Sequence, residues 1–425
     1  MKTTTARFEA MRPRIEVALV SEHASPLATP AGEDSGSPNV HVAALAALAV
    51  ELGRRGCRVT VYTRRDGPHV PDRVELAPGA VVEHVPAGPA EPLAEDDLFV
   101  HMPAFADHLA SRWRTDTPDL VHAHSWTSGW AAVRAAAGRV PVAQTFGSLG
   151  VAKTRHRGDA ATGSADRQQV ETELLSAVDH IVATCSDEAT ELTTLGADPE
   201  RVTVVPYGID PATFRPDGAR LRVPTASGRR PQRYRLVVVS RLVPRKGIDD
   251  VVRALARIPE TELVVAGGPD QRALPADPEV RRLRGIAQDL GVEDRITFLG
   301  GVPHSMVPAL LRSADVVVST PWYEPFGIVA LEAMACGKPV VATAVGGQLD
   351  TVQLHRTGLL VEPRDPDGIA VAVQQLLANP SLRHRMGEEA VAVVRDRFTW
   401  EQVTHSTLDV YEQVTRTSDW WSVPA

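Results

Sequence analysis

The segment from Val316 to Ala342 reads VVVSTPWYEPFGIVALEAMACGKPVVA. Its two apolar ends, Val316 to Ser319 and Pro339 to Ala342, have the length and the valine content of buried strands. A helix is predicted between them, beginning near Ile328. A strand, a helix and a second strand in this order form a crossover unit of a parallel sheet.

The same alternation continues on both sides of this segment. In the first half of the chain, the predicted strands are Ile15 to Val20, Arg58 to Thr63, Leu120 to Ala123, Val140 to Thr145 and His180 to Thr184. In the second half, the further predicted strands are Leu236 to Ser240, Glu262 to Ala266 and Ile296 to Leu299. Because prolines and glycines crowd residues 206–233, we expect the linker there.

The fold class is therefore α/β, with two doubly wound Rossmann-like domains facing a central cleft. We expect an amino-terminal domain over residues 1–215 and a carboxyl-terminal domain over residues 216–400. Residues 401–425 are expected to form a helix that crosses back to the first domain. Ligands of such sheets bind outside the carboxyl ends of the strands, so the cleft is the expected site.

Composition excludes several classes of function. The 425 residues carry a net charge of −8, which disfavours nucleic acid and an anionic membrane surface as partners. Three cysteines at wide spacing form no metal pattern and no disulfide framework, so we expect a cytoplasmic protein without a metal or other cofactor. We find no apolar stretch that could span a membrane. The sequence leaves open whether the protein is a homodimer.

Two glutamates, Glu324 and Glu332, lie eight residues apart across the predicted strand-to-helix junction. The N–H groups of Phe326, Gly327 and Ile328 would be unpaired at the start of the helix, where an anion is favoured. The competing interpretation is that both glutamates are solvated acids that stabilise the helix dipole.

A second charged motif, SRLVPRKG, runs from Ser240 to Gly247 at the end of a predicted strand. Arg241 and Lys246 would project from this loop into the cleft, where two cations can stabilise the charge of a leaving diphosphate. Such a pair would replace a divalent metal. The competing interpretation is a basic turn on the surface.

The string EPFGIVALEAMACGKPVV resembles the E-x7-E signature of glycosyltransferase family 4, whose members have the GT-B fold and retain the sugar's configuration. The resemblance implies that Glu324 contacts sugar hydroxyls and that Glu332 holds the ribose of a nucleotide. It also assigns Phe326, Gly327 and Ile328 to the sugar and diphosphate. The loop with Arg241 is similar to the family's GRLxxxKG pattern.

The opening of the first predicted helix, DSGSPNVHV, is similar to that of the glucosaminyl-inositol-phosphate and sucrose-phosphate synthase subgroup. This similarity implies that Gly36 and Ser37 approach the donor and that Asn39 faces the acceptor. A lone glycine such as Gly36 is otherwise most often a simple turn.

The acceptor side departs from that subgroup. Its phosphate-binding lysine, tyrosine and threonine correspond to Glu95, Ser125 and Ser148, and only Arg167 keeps its type. Since Glu95 would repel an anion, we expect an unphosphorylated acceptor. Many relatives place a histidine where this chain has Gly147.

His124 is our candidate for a catalytic histidine reaching the cleft, although a buried histidine at the end of a strand is the commoner case. The resemblance thus implies a metal-independent retaining glycosyltransferase that moves a hexose-type sugar from a nucleotide diphosphate, UDP first and GDP second, to a small polar acceptor that we expect to be unphosphorylated. The alternatives are mycothiol-type transfer to inositol phosphate and a nucleotide-sugar-binding protein without transfer activity.

Overall fold

The structure is a computed structural model that describes residues 15–23, 25–27, 40–94, 97–157, 164–223 and 232–417. Within these residues the chain forms two sheets flanked by helices, and each sheet is covered by apolar side chains on both faces. None of the described helices combines the length and the apolar composition needed to cross a bilayer.

The first sheet has eight strands in the order β3-β4-β2-β1-β5-β6-β7-β8. Its strands are β1 (Glu16–Val20), β2 (Arg58–Arg64), β3 (Arg73–Ala77), β4 (Ala80–Val85), β5 (Leu120–His124), β6 (Val142–Thr145), β7 (His180–Ala183) and β8 (Val202–Val204). All neighbours pair in parallel except β3 and β4, which form an antiparallel hairpin at the edge. The helices of this half are α1 (Val40–Arg54), α2 (Met102–Trp113), α3 (Trp126–Ala136), α4 (Gly150–Arg157), α5 (Ser164–Ala177) and α6 (Ser186–Thr194).

The second sheet has six parallel strands in the order β11-β10-β9-β12-β13-β14. Its strands are β9 (Tyr234–Val239), β10 (Thr261–Ala266), β11 (Ile296–Gly300), β12 (Val316–Ser319), β13 (Val340–Thr343) and β14 (Gly358–Val361). Its helices are α7 (Ile248–Leu255), α8 (Pro278–Asp289), α9 (Val307–Ser313), α10 (Ile328–Ala335), α11 (Gly347–Thr351), α12 (Pro366–Ala378) and α13 (Pro380–Arg397).

The last helix, α14 (Trp400–Thr417), lies against the first domain although it follows the second in the chain. Its buried side chains join the core cluster that contains Leu45 of α1, and the Tyr411 hydroxyl is 2.8 Å from Nδ1 of His122. The fold class is confirmed: two Rossmann-like domains with parallel central strands. The domain boundaries near residues 215 and 400 remain a proposal.

The sequence did not predict β3, β4, β8 or β14. β3 lies at the sheet edge and is buried only in part, and β4 carries the polar residues Glu83 and His84, so neither has the continuous apolar run of a central strand. β14 is four residues long and lies at the edge of the second sheet. β8 is three residues long, with no fully buried side chain, and also lies at an edge.

Candidate active site

The loop after β9 places Lys246 against the loop after β12. Gly247 has φ of +61°, and a Cβ there would lie 2.1 Å from the Thr320 carbonyl oxygen, so only glycine allows the two loops to pack this closely. As a result Lys246 Nζ lies 2.5 Å from Oε2 of Glu324, and both side chains are largely buried. Arg241, on the same loop, is exposed.

The loop that carries Glu324 ends at Gly327, whose φ of +68° begins α10. Gly347 lies beneath it, donating its N–H to the Glu324 carbonyl oxygen at 2.8 Å, and a Cβ on Gly347 would lie 2.7 Å from the Phe326 carbonyl carbon. Among the described residues, none accepts a hydrogen bond from the N–H of Phe326, Gly327 or Ile328. Three such N–H donors at the start of a helix can bind an anion.

Glu332 lies on α10, one turn beyond this position, and is 7% exposed. Burial raises the pKa of its carboxyl group to about 8. No described side chain pairs with it. A buried, unpaired carboxyl group is costly to keep unless a ligand completes its hydrogen bonds, and a diol supplies two hydroxyls of the right kind.

Phe326 brings the second domain into contact with the first. Its ring lies edge-on to His41 at 5.1 Å and 4.6 Å from the ring of Tyr207. The Tyr207 hydroxyl is 3.0 Å from Nδ1 of His41. Three aromatic side chains, from α1, from the segment after β8 and from the loop before α10, therefore meet across the cleft.

Gly147 has φ of +72°, and a Cβ there would lie 2.5 Å from Cε1 of His41. The imidazole of His41 thus occupies the space next to position 147, where the family resemblance had led us to expect a histidine. The sequence analysis gave His41 no role. The signal that could have found it is the pairing of a missing side chain at Gly147 with a histidine at the start of α1.

His124 lies at the end of β5 and stacks on His122 at 4.2 Å. Burial and, to a smaller degree, the charge of His41 lower the pKa of His124 to about 3, so its ring is neutral. Its buried Nε2 has no hydrogen-bond partner among the described residues. The structure therefore gives His124 an available ring nitrogen but no charge.

The three acceptor candidates that the structure describes follow β5 and β6 or lie on α5. Arg167 donates to Oε1 of Glu171 at 2.7 Å and to the Ser148 carbonyl oxygen at 2.6 Å, and its side chain is 11% exposed. Its guanidinium is therefore engaged within the protein. Ser125 is half-buried and donates its hydroxyl proton to Glu22.

The remaining predicted site residues, Gly36, Ser37, Asn39 and Glu95, lie outside the described residues. In the part of the chain that is described, no three His, Cys, Asp or Glu side chains converge as they would around a metal ion.

Glu22 is the residue that sequence reasoning missed. It follows β1, is fully buried, and accepts hydrogen bonds from the hydroxyls of Ser125, Thr127 and Ser128. The signal was a carboxylate two residues beyond an apolar strand, at the edge of the sheet where ligands bind.

Comparisons with known proteins show the family to which the chain belongs. The family described as "Glycosyltransferase Family 4" matches residues 42–213, and "Glycosyl transferases group 1" matches residues 222–392. D-inositol 3-phosphate glycosyltransferase of Acidothermus cellulolyticus is 38% identical over 93% of this chain and 89% of its own length. Its namesake from Mycobacterium tuberculosis is 36% identical over 93% of this chain and 83% of its own length.

Solved structures of other proteins have a similar fold. Sucrose-phosphate synthase from Thermosynechococcus elongatus superposes with a TM-score of 0.80 at 30% identity, over 95% of this chain and 100% of the other. Anabaena HepE, solved with UDP and glucose, has a TM-score of 0.68 at 20% identity, over 94% and 100% of the two chains. The chain belongs to the family 4 glycosyltransferases of the GT-B fold and is a glycosyltransferase enzyme.

Proposed function

We propose that this enzyme is a metal-independent retaining glycosyltransferase that moves a hexose-type sugar from UDP to a small, unphosphorylated polar acceptor, with GDP as the second candidate for the donor nucleotide. One observation carries the proposal. Lys246, on the loop after β9, pairs with Glu324 on the loop before α10. This second loop and α10 also carry the N–H groups of residues 326–328 and the carboxyl group of Glu332, and none of these groups has a hydrogen-bond partner among the described residues.

On the donor side, each group has a physical role. The N–H groups of residues 326–328 receive the diphosphate, and Lys246 with Arg241 stabilises the negative charge that develops as it leaves. Glu332 holds the ribose diol through two hydrogen bonds. Glu324, whose carboxylate is fixed by Lys246, accepts from sugar hydroxyls. The leaving diphosphate takes the proton of the acceptor on the same face of the sugar, and the protein mainly positions the two substrates.

On the acceptor side, the described charges do not favour a phosphate. Arg167, the cation kept from the inositol-phosphate subgroup, is held by Glu171. Glu22 adds a buried negative charge behind Ser125. An anionic acceptor would meet repulsion here without a free cation to offset it among the described residues.

The second candidate function is glucosaminyl transfer to an inositol phosphate. The observation that favours it is the 38% identity to a D-inositol 3-phosphate glycosyltransferase across 93% of the chain.

A transfer assay separates these candidates. Purified enzyme is assayed in buffer that contains a metal chelator. The donors are UDP- and GDP-sugars, the acceptors are a cyclitol, its aminated form and its phosphate, and the release of nucleotide is measured. Transfer to an unphosphorylated acceptor supports the proposal if the NMR spectrum of the product shows the same anomeric configuration as the donor. A requirement for the phosphate, or inversion at the anomeric carbon, contradicts it.

The role of Glu332 is tested in the same assay. Glu332→Ala should raise the donor KM by about 10-fold or more, because two hydrogen bonds to the ribose are lost. Glu279→Ala is the matched control, since Glu279 is also buried in the second domain but pairs with Arg282 on the outer helix α8. A donor KM unchanged in Glu332→Ala would remove the ribose role.

A further inference from the structure

Glu22 and Ser125 lie side by side at the point where the first sheet changes direction. β1 and β5 are adjacent parallel strands, while the chain runs from β1 to β2 on the opposite side. Glu22 follows β1 and Ser125 follows β5, so both lie at the carboxyl edge of this switch point. In open α/β sheets the crevice at this position binds the ligand.

The charge of Glu22 is balanced by hydroxyl groups. The Ser125 hydroxyl lies 2.9 Å from each carboxylate oxygen, and the hydroxyls of Thr127 and Ser128 also donate to Glu22. Among the described residues, no lysine or arginine forms an ion pair with Glu22, and the nearest titratable partner is His23, with Nε2 at 3.7 Å from Oε1. The carboxylate therefore imposes a negative potential on the crevice.

The hydrogen bond to Glu22 also fixes what Ser125 can offer a ligand. A hydroxyl group has one proton, and that of Ser125 is directed to the carboxylate. The half-buried Ser125 oxygen also accepts from the N–H of Ser128, so one lone pair is left, which can accept from an N–H or O–H group and repels the oxygens of a phosphate. Gln144 binds the Ser125 carbonyl oxygen at 2.8 Å and helps to hold the residue in place.

The backbone of Ser125 is an independent sign that this position is functional. Its φ is +95°, a region that side chains other than glycine rarely adopt. Strained residues of this kind cluster at ligand sites, where the surrounding structure holds them. Here the strain directs the hydroxyl back to Glu22 and to the N–H of Ser128.

We propose that Glu22, acting through Ser125, makes the acceptor crevice select molecules that present a hydrogen-bond donor, above all a primary ammonium group, over molecules that present a phosphate. Glu22 is a positioning residue for acceptor specificity and does not touch the donor. This inference rests on the proposed function and names the acceptor class for the same site.

The test compares one cyclitol in three forms: unmodified, aminated and phosphorylated. The wild-type enzyme should have the highest kcat/KM for the aminated form. We define the amine-over-phosphate ratio as kcat/KM for the aminated form divided by kcat/KM for the phosphorylated form. In Glu22→Gln this ratio should fall by roughly 10-fold or more, because a charge-assisted hydrogen bond is lost. The change should appear in the acceptor KM and not in kcat. Glu83→Gln, a buried carboxylate on β4 paired with His108, is the matched control and should leave the ratio unchanged.

A second variant keeps the inference testable if Glu22→Gln does not fold. Ser125→Ala leaves Glu22 with the hydroxyls of Thr127 and Ser128 but removes the remaining lone pair of Ser125, so the same ratio should fall. An amine-over-phosphate ratio below one in the wild type, or an unchanged ratio in whichever variants fold, would overturn the inference.

Donor binding and slow donor hydrolysis without any acceptor separate the two levels of failure. If the wild-type enzyme neither binds nor hydrolyses UDP- or GDP-sugars, the proposed function fails. If it does both, yet shows no amine preference, only the acceptor inference fails.

Discussion

At the scale of single residues, the sequence could predict that Lys246 and Glu324 lie close together, but it could not predict the contacts of Glu22. Glu324, Glu332 and Lys246 belong to motifs with fixed spacing, and the structure brings Lys246 and Glu324 into contact. Glu22 carries no such spacing, because its partners lie more than a hundred residues away and are joined to it only by the pairing of β1 with β5.

The carboxyl group of Glu332 makes stability depend on pH. Its pKa is about 8 in the folded protein, against 4.5 for an ordinary glutamate. Between these pH values the folded state therefore binds more protons than the unfolded state. The free energy of unfolding falls as pH rises from about 4.5 to about 8. Glu332→Gln removes this loss, so relative to wild type the variant should gain stability from pH 5 to pH 8.

Thermal unfolding at pH 5 and pH 8, in buffer without nucleotide, measures this gain. Glu279→Gln is the control. Because the Glu279 carboxylate pairs with the guanidinium of Arg282, replacing this carboxylate should give no gain in stability between pH 5 and pH 8. Parallel pH profiles for wild type and Glu332→Gln would show that Glu332 is not held protonated by burial.

At the scale of elements, most central parallel strands could be predicted because they are buried on both faces and rich in apolar residues. The β3–β4 hairpin could not, since β3 is a partly exposed edge strand and β4 carries polar Glu83 and His84. The contact of α1 with the loop after β6 could not be predicted from the sequence either. It depends on the absence of a side chain at Gly147 and the presence of one at His41, 106 residues earlier.

The contact of Gly147 with His41 can be tested with a matched pair of glycines. Gly147→Ala should destabilise the protein and lower kcat/KM for the donor, because the new methyl group would displace His41 from Phe326. Gly138→Ala introduces similar backbone strain, at φ of +69°, but its methyl group meets open space.

The free energy of unfolding of Gly147→Ala should therefore fall by about 1–3 kcal/mol more than that of Gly138→Ala, the usual cost of overpacking. Chemical denaturation and donor kinetics on both variants measure the difference. Equal effects of the two substitutions would mean that His41 moves aside without cost.

At the scale of the whole molecule, contacts between described residues at several places join the two domains. Phe326 meets His41, Asp350 accepts from the N–H and the hydroxyl of Ser186 at 2.6 and 2.8 Å, and α14 packs on α1. The contact of α14 ties the end of the chain to the first core. The sequence predicted a helix that crosses back, but the buried hydrogen bond between Tyr411 and His122 could be found only in the structure.

Tyr411→Phe should lower the free energy of unfolding by about 1–3 kcal/mol, because Nδ1 of the buried His122 then loses its partner. Denaturant titration measures this loss. Tyr234→Phe is the control, since no described residue forms a hydrogen bond with the Tyr234 hydroxyl, and its effect should stay within about 0.5 kcal/mol. Equal stability of both variants would show that α14 is not held by this bond.

The most direct test of the donor site is the turnover number of Lys246→Ala at saturating nucleotide sugar, beside Arg281→Ala as an exposed cation on the outer helix α8 of the same domain. If Lys246 neutralises the departing diphosphate, kcat should fall by at least ~100-fold while Arg281→Ala remains active. A Lys246→Ala enzyme with nearly normal kcat would contradict the account.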